Sequence, residues 1–253
     1  MRSVRWMGAL LIIGMLSLAG RSAFAQTTPA TFTLQPGGKA SITFEAFCTN
    51  FGQKFPQAIQ APNALGADKI QSALAYIQSN NLAADPAKAL EAQYAIWQLV
   101  GATGSPAGGA DAKAVVAAAA TAPASASGTS IVDAVKANQV SVTLNSWQPI
   151  GNKVQLGSAM DNFYGRGTLT VANTSQQAVT LAMPPGTLFP PATAGEQTMA
   201  GYATNVQVSN PQAAQAPQQL PDTSGEGGPL LLLFGALLLL GASRLLRLIR
   251  LAR

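Results

Sequence analysis

Hydrophobic period changes twice along this 253-residue chain, and those changes set the fold it can adopt. Apolar and polar residues alternate in Thr31-Phe32-Thr33-Leu34 and again in Ser41-Ile42-Thr43-Phe44, with a Pro36-Gly37-Gly38 turn between them. A period of two predicts strands, and the turn predicts a hairpin-like pair leading into Phe47-Cys48. The spacing then lengthens. Ile70, Ala73, Leu74 and Ile77 share one face of a helix over 68–79. Asp85 before Pro86 is an N-cap with proline at the first helical position, and Gly101 lies just past the last apolar residue. These signals frame a second helix over 86–100. Residues 101–109 read as a Gly/Ser/Pro loop, and 110–122 as an Ala-rich helix-prone stretch. Alternation returns near residue 139 with Val140, Val142 and Leu144. Residues 167–183 read as a hairpin with Asn173-Thr174-Ser175 near its turn, and 204–208 as a further strand. No internal repeat is present. The expectation is an α+β protein, with a mixed β/helical head over 26–148 and a small β-sandwich-like module over 149–209. A linker rich in Pro, Gln and Gly follows over 210–228.

Both ends carry addresses. Residues 1–25 combine basic Arg2 and Arg5, an apolar run from Met7 to Ala19, and Ala23-Phe24-Ala25 before Gln26. These are the parts of a secretory signal peptide, with cleavage expected between Ala25 and Gln26. Residues 229–253 hold a Leu-rich run and end in Arg244, Arg247, Arg250 and Arg253. A span of about 20 apolar residues is reached if the run continues through Leu245, Leu246, Leu248 and Ile249. The basic end then stays on the cytoplasmic side, which leaves the body outside the cell. The three-residue spacing of the arginines also fits an interfacial amphipathic helix.

The net charge of +5 belongs to those ends. Three arginines lie in 1–25 and four in 229–253, whereas eight basic residues face ten acidic ones between them. A weakly acidic body without a basic stripe excludes nucleic acid as a partner. The chain has no histidine, which removes the Ser-His-Asp triad, the Cys-His dyad and imidazole metal sites. One cysteine excludes an internal disulfide and a cysteine zinc cluster. The glycines of 101–109 lack a following Gly-Lys-Ser/Thr, so they form no phosphate loop. Carboxylates are scattered singly, without metal or glycosidase spacing. No metal and no cofactor are expected.

Two residues stand out from this plain background. On the helix 86–100, Leu90, Tyr94 and Trp97 form an apolar stripe into which Gln93 falls, while Glu91 and Gln98 project the other way. Burying an amide without partners costs on the order of 1–3 kcal/mol, so Gln93 is either satisfied in the core or used. Cys48 is likewise either buried and inert or used, because an unpaired thiol in an exported protein risks oxidation. Together they supply what an internal thioester needs, with the sulfur attacking the glutamine carbonyl and ammonia leaving. No histidine takes part. Phe47, Tyr94 and Trp97 would keep water from the bond.

Phe47-Cys48 and Ala92-Gln93-Tyr94-Ala95-Ile96-Trp97 resemble the thioester domains of surface adhesins of Gram-positive-type bacteria, over roughly residues 30–148. That signature has an early aromatic-Cys and a later Thr-Gln-x-Ala helix continuing Ile-Trp; here Ala92 stands in place of the threonine. The resemblance implies that Cys48 gives the sulfur and Gln93 the acyl carbonyl, to be captured by an amine or hydroxyl on a target surface. Leu220-Pro221-Asp222-Thr223-Ser224, followed by an apolar segment and a basic stop, resembles a sortase cell-wall sorting signal with Ser224 in place of its glycine. A sortase would join Thr223 to an envelope amine; otherwise the segment is a membrane anchor. The expected protein is thus a surface-anchored adhesin that reacts once and is not an enzyme. The alternative is an envelope spacer or coat protein with Cys48 and Gln93 unlinked.

Overall fold

The computed structural model describes residues 31–151, 153–156 and 159–211. The addresses at 1–25 and 229–253, the linker's larger part and Leu220, Pro221, Asp222, Thr223 and Ser224 lie outside the described residues. The chain begins with β1 (Thr31–Leu34), β2 (Lys39–Cys48) and the short β3 (Ala64–Leu65). Next come α1 (Asp68–Ser79), a 3-10 turn (Leu82–Ala84), α2 (Pro86–Leu99) and α3 (Ala110–Ala118). Then follow β4 (Thr129–Ser130), α4 (Ile131–Lys136), β5 (Val140–Pro149), β6 (Lys153–Leu156) and β7 (Ala159–Asn162). The last elements are β8 (Tyr164–Asn173), β9 (Val179–Ala182), β10 (Thr187–Phe189) and β11 (Met199–Ser209). The fold is α+β and rich in sheet, as its periodicity predicts. Among the described residues no helix is long and apolar enough to cross a membrane.

Six strands form the main sheet in the order β3-β10-β11-β2-β8-β5; β1-β9-β4 and β6-β7 form two smaller sheets. The strands expected to make a module of their own therefore pair with the first half of the chain. β2 lies between β11 and β8, and every described residue falls in one compact unit that ends at Pro211. A boundary near residue 148 would cut this sheet. Periodicity marks strands without naming their partners, which is why the division looked possible.

Both expected hairpins are instead corners between sheets. β1 pairs with β9 rather than β2, and β8 pairs with β2 and β5 rather than β9. Gly37 takes φ +73° at the first corner, a conformation that glycine adopts without steric cost. Asn173 binds the two corners together. Its Nδ2 donates to Leu34 O (3.0 Å) and Gln177 O (2.7 Å), its N–H donates to Gly38 O, and its C=O accepts from Gly37 N–H. Its side chain is thus spent on the fold.

On the core face of β2, Ala40, Ile42, Phe44, Ala46 and Cys48 are all buried. The Phe44 ring stacks 4.3 Å from Phe189 and 6.1 Å from Trp147. A Cβ at Gly167 would sit 2.5 Å from Phe44 Cζ, so the neighbouring strand must be glycine there. Burying a ring of this size contributes roughly 1.5–3 kcal/mol.

The helices cover the Cys48 end of this sheet. α1 spans its predicted residues and buries Ile70, Ala73, Leu74 and Ile77. Asp85 caps α2 by accepting from Ala87 N–H (2.8 Å) and Lys88 N–H (3.2 Å). Gly101 at φ +81° ends it, with Ala102 N–H returning to Trp97 O (2.9 Å). The buried face differs from the expected stripe. It is made of Ala89, Ala92, Gln93, Ala95, Ile96 and Trp97, with Leu90 and Tyr94 only half-buried. Alanines let α2 approach closely, which carries Gln93 fully into the interior. α3 ends at Ala118, short of 122, and α4 had no periodicity long enough to predict.

Candidate functional site

Cys48 closes β2 at the point where its ladder with β8 runs out. The last full pair is Phe47 with Tyr164. One step further, Phe163 O still accepts the Cys48 N–H at 3.0 Å. On the opposite edge Met199 of β11 lies across from Cys48. The vacant edge position beside Phe163 is filled by a side chain from α2. Gln93 Oε1 accepts the Cys48 N–H at 3.0 Å, and Gln93 Nε2 donates to Cys48 O at 2.7 Å. The carboxamide thus acts as one residue of a missing strand. It satisfies a buried carbonyl whose isolation would cost about 1–3 kcal/mol.

The sequence-predicted pair is therefore in contact, and both residues are 0 % exposed. The contact runs through the backbone of Cys48, while its sulfur donates weakly to Met199 Sδ at 3.7 Å. Burial pushes the Cys48 thiol well above its ordinary range, and the negative charge of Asp161 pushes it further. It is held as a neutral thiol. The Cys48 N–H also points at the oxygen that gains charge if the Gln93 carbonyl is attacked, the geometry of an oxyanion donor.

Aromatic rings close the surroundings. Phe51, three residues past Cys48, meets Trp97 edge-on at 4.9 Å, and Tyr94 lies 6.1 Å from Trp97. Phe47 stacks on Tyr164 at 5.3 Å. Trp97 and Phe47 are buried, whereas Tyr94 is half-buried, and Phe47 projects to the sheet face opposite the Cys48 side chain. The Trp97 Nε1–H has no hydrogen-bond partner among the described residues. Ala92 is wholly enclosed, so a hydroxyl at that position would need a partner inside the core. Beyond Cys48 a cavity of about 340 Å³ opens between Thr49, Asn50, Lys69, Ile70, Val100 and Leu188.

Met199 and Phe163 complete the contacts of Cys48 and were not singled out in the sequence. They follow Cys48 by more than a hundred residues, and no local motif surrounds them. Ala25 and Gln26, like the sorting pentapeptide, lie outside the described residues. No family model, no curated protein and no solved structure matches the chain.

Proposed function

We propose that this is an exported, surface-anchored protein whose Cys48 and Gln93 form an internal thioester that captures a nucleophile covalently. The observation that carries this is the reciprocal hydrogen-bond pair between the Gln93 carboxamide and Cys48. It holds nucleophile and electrophile together, with an N–H on the carbonyl oxygen. Cys48 Sγ bonds to Gln93 Cδ, the Cδ–Nε2 bond breaks, and the thiol proton leaves with nitrogen as ammonia. An incoming amine or hydroxyl then attacks the same carbon and releases the Cys48 thiol. Gln93 ends linked to the target by an amide or ester. The cycle runs once, so the protein is an adhesin rather than an enzyme.

The thioester-bearing part is the whole sheet-and-helix body of residues 31–211. The signal at 1–25 would export it, and the apolar segment at 229–253 would hold it at the membrane. A sortase acting at Thr223 would instead attach it to the wall. The surface target is a protein amine or a glycan hydroxyl.

A second function fits one observation. Cys48 Sγ has a partner in Met199, and both ends of the Gln93 amide are satisfied, so the pair is also stable as an unlinked core amide in an envelope spacer. Intact mass of the freshly purified full chain separates the two. The adhesin is short by one ammonia, and Cys48→Ala and Gln93→Ala are not. Full mass with a titratable thiol in unfolded wild type overturns the thioester and leaves the spacer.

A further inference from the structure

A cleft of about 580 Å³ opens at the turn between β8 and β9, beside β4 and the start of β5. It lies at the end of the sheet where β2 begins, level with the Asn173 corner, whereas Cys48 closes β2 at the other end. β2 runs from Lys39 to Cys48, so at about 3.3 Å per residue roughly 30 Å separates the two ends. The cleft has no part in the thioester reading.

Its walls are polar and uncharged. The side chains of Ser127, Thr129, Gln139, Gln176 and Gln177 line it, and none of them hydrogen-bonds to a described residue. No charged side chain among the described residues takes part in the lining. An ion finds no counter-charge on such walls, and an apolar ligand finds little to bury against. Each hydroxyl both donates and accepts, and each carboxamide does the same at separate atoms. They match a ligand that carries many neutral hydroxyls, each of them donor and acceptor in turn.

The lining groups sit on a fixed frame. Ser175 N–H and Oγ both donate to Asn173 Oδ1 (2.9 and 2.8 Å), and Asn173 Nδ2 is tied in turn to Leu34 O. Thr174 N–H donates to Gln139 O at 3.0 Å, which joins this turn to the start of β5. Just before β4, a Cβ at Gly128 would come within 3.0 Å of Thr180 O, so the chain there lies directly against β9. That approach also decides between ligands. β9 has β1 along one side and β4, extended by Gly128, along the other, which leaves little free edge for an added peptide strand. Recognition falls to the side chains, and a fixed turn presents them at little ordering cost.

We propose that this cleft binds a neutral glycan non-covalently, through the amides of Gln139, Gln176 and Gln177 and the hydroxyls of Ser127 and Thr129. No bond is made or broken there, and the site stands whether or not Cys48 and Gln93 are linked. It adds to the covalent reading a reversible contact at the other end of the body.

The test uses the full chain in a detergent without a sugar headgroup. Cellotetraose, mannotetraose and chitotetraose are the probes, read by saturation-transfer NMR and calorimetry. At least one of the three binds at millimolar concentration, with an affinity that does not change with salt. Gln139→Ala and Gln177→Ala each weaken that binding about tenfold, the effect of one lost hydrogen-bonding amide. Thr129→Val, at an exposed position, weakens it in the same direction and leaves the urea midpoint where it was. Cys48→Ala binds the same sugar with unchanged affinity, so a thioester that fails the mass measurement leaves this site standing. Binding of none of the three sugars overturns the proposal, and so does a bound sugar whose affinity the cleft substitutions leave unchanged. Tetragalacturonate or an uncharged Ser/Thr peptide binding here in place of the neutral sugars overturns it as well, because the cleft is then a site for an anion or a peptide.

Discussion

Two buried polar arrangements sit three residues apart on β2, and they are built in opposite ways. On one face Glu45 lies in a row across three strands, accepting from Arg166 (2.5 Å) on β8 and Tyr202 (3.0 Å) on β11. Each group there meets a side chain of complementary charge or hydrogen-bonding type, and the Arg166 side chain remains 52 % exposed. On the other face Cys48 and Gln93 are wholly enclosed, and the amide binds only backbone. The first arrangement holds strands in register and can be strained without loss of core. The second places an electrophilic carbonyl against a nucleophile's own peptide group, with water shut out. Burial is common to both, and their partners differ: a side-chain cation and hydroxyl around Glu45, backbone N–H and C=O around Gln93.

Removing the amide should have the largest effect. Gln93→Ala leaves Cys48 O without its donor and opens a void beneath α2. The expected loss is about 2–4 kcal/mol, read by urea unfolding. Glu45→Gln, which keeps an oxygen for Arg166 and an amide for the Tyr202 oxygen, should cost less than half of that. Equal losses would mean that the two arrangements do the same work.

Much of this contrast was legible in the sequence, and the reasons for the rest are physical. Gln93 stood out because an amide inside an apolar stripe is costly, and Asp85-Pro86 with Gly101 framed its helix to within a residue. Cys48 stood out because it is single. Partner choice was not legible: Phe32 and Leu34 alternate equally well beside β2 or β9, and only the Asn173 corner decides. The same blindness hid Met199 and Phe163, which reach Cys48 through strand pairing rather than spacing. It also divided the body at residue 148, because nothing local to β8 says that it will pair with β2.

Alkaline unfolding sharpens the comparison at the next scale. An acid whose folded pKa is raised keeps its proton in the native state after the unfolded chain has lost it. Stability is then full below the unfolded pKa and declines above it, by up to about 1.4 kcal/mol per pH unit for one group. Tyr202 is raised by burial and by Glu45, so its loss begins at about pH 10 and disappears in Tyr202→Phe. Tyr94, raised less deeply by partial burial and Glu91, leaves only a small residual slope. An unlinked Cys48 adds an earlier loss from about pH 8.5, absent in Cys48→Ser. A thioester has no thiol to titrate, so linked wild type should lack that earlier limb and match Cys48→Ser between the two thresholds. Urea midpoints across this range, taken promptly so that hydroxide does not open the bond, report which state is present.

The smallest change is expected from the ion pair itself. Arg166→Met removes a guanidinium whose side chain is half in water, while Glu45 keeps the Tyr202 hydroxyl and gains access to solvent on the sheet face that the guanidinium covered. Pairs with one partner half in water contribute little more than exposed pairs do, about 0–1 kcal/mol, and added salt screens them further. Arg166→Met should therefore shift the urea midpoint slightly at low salt and hardly at all at high salt. A loss as large as that of Gln93→Ala would place Glu45 among the uncompensated buried charges. The two faces of β2 would then differ in chemistry but not in how tightly the fold depends on them.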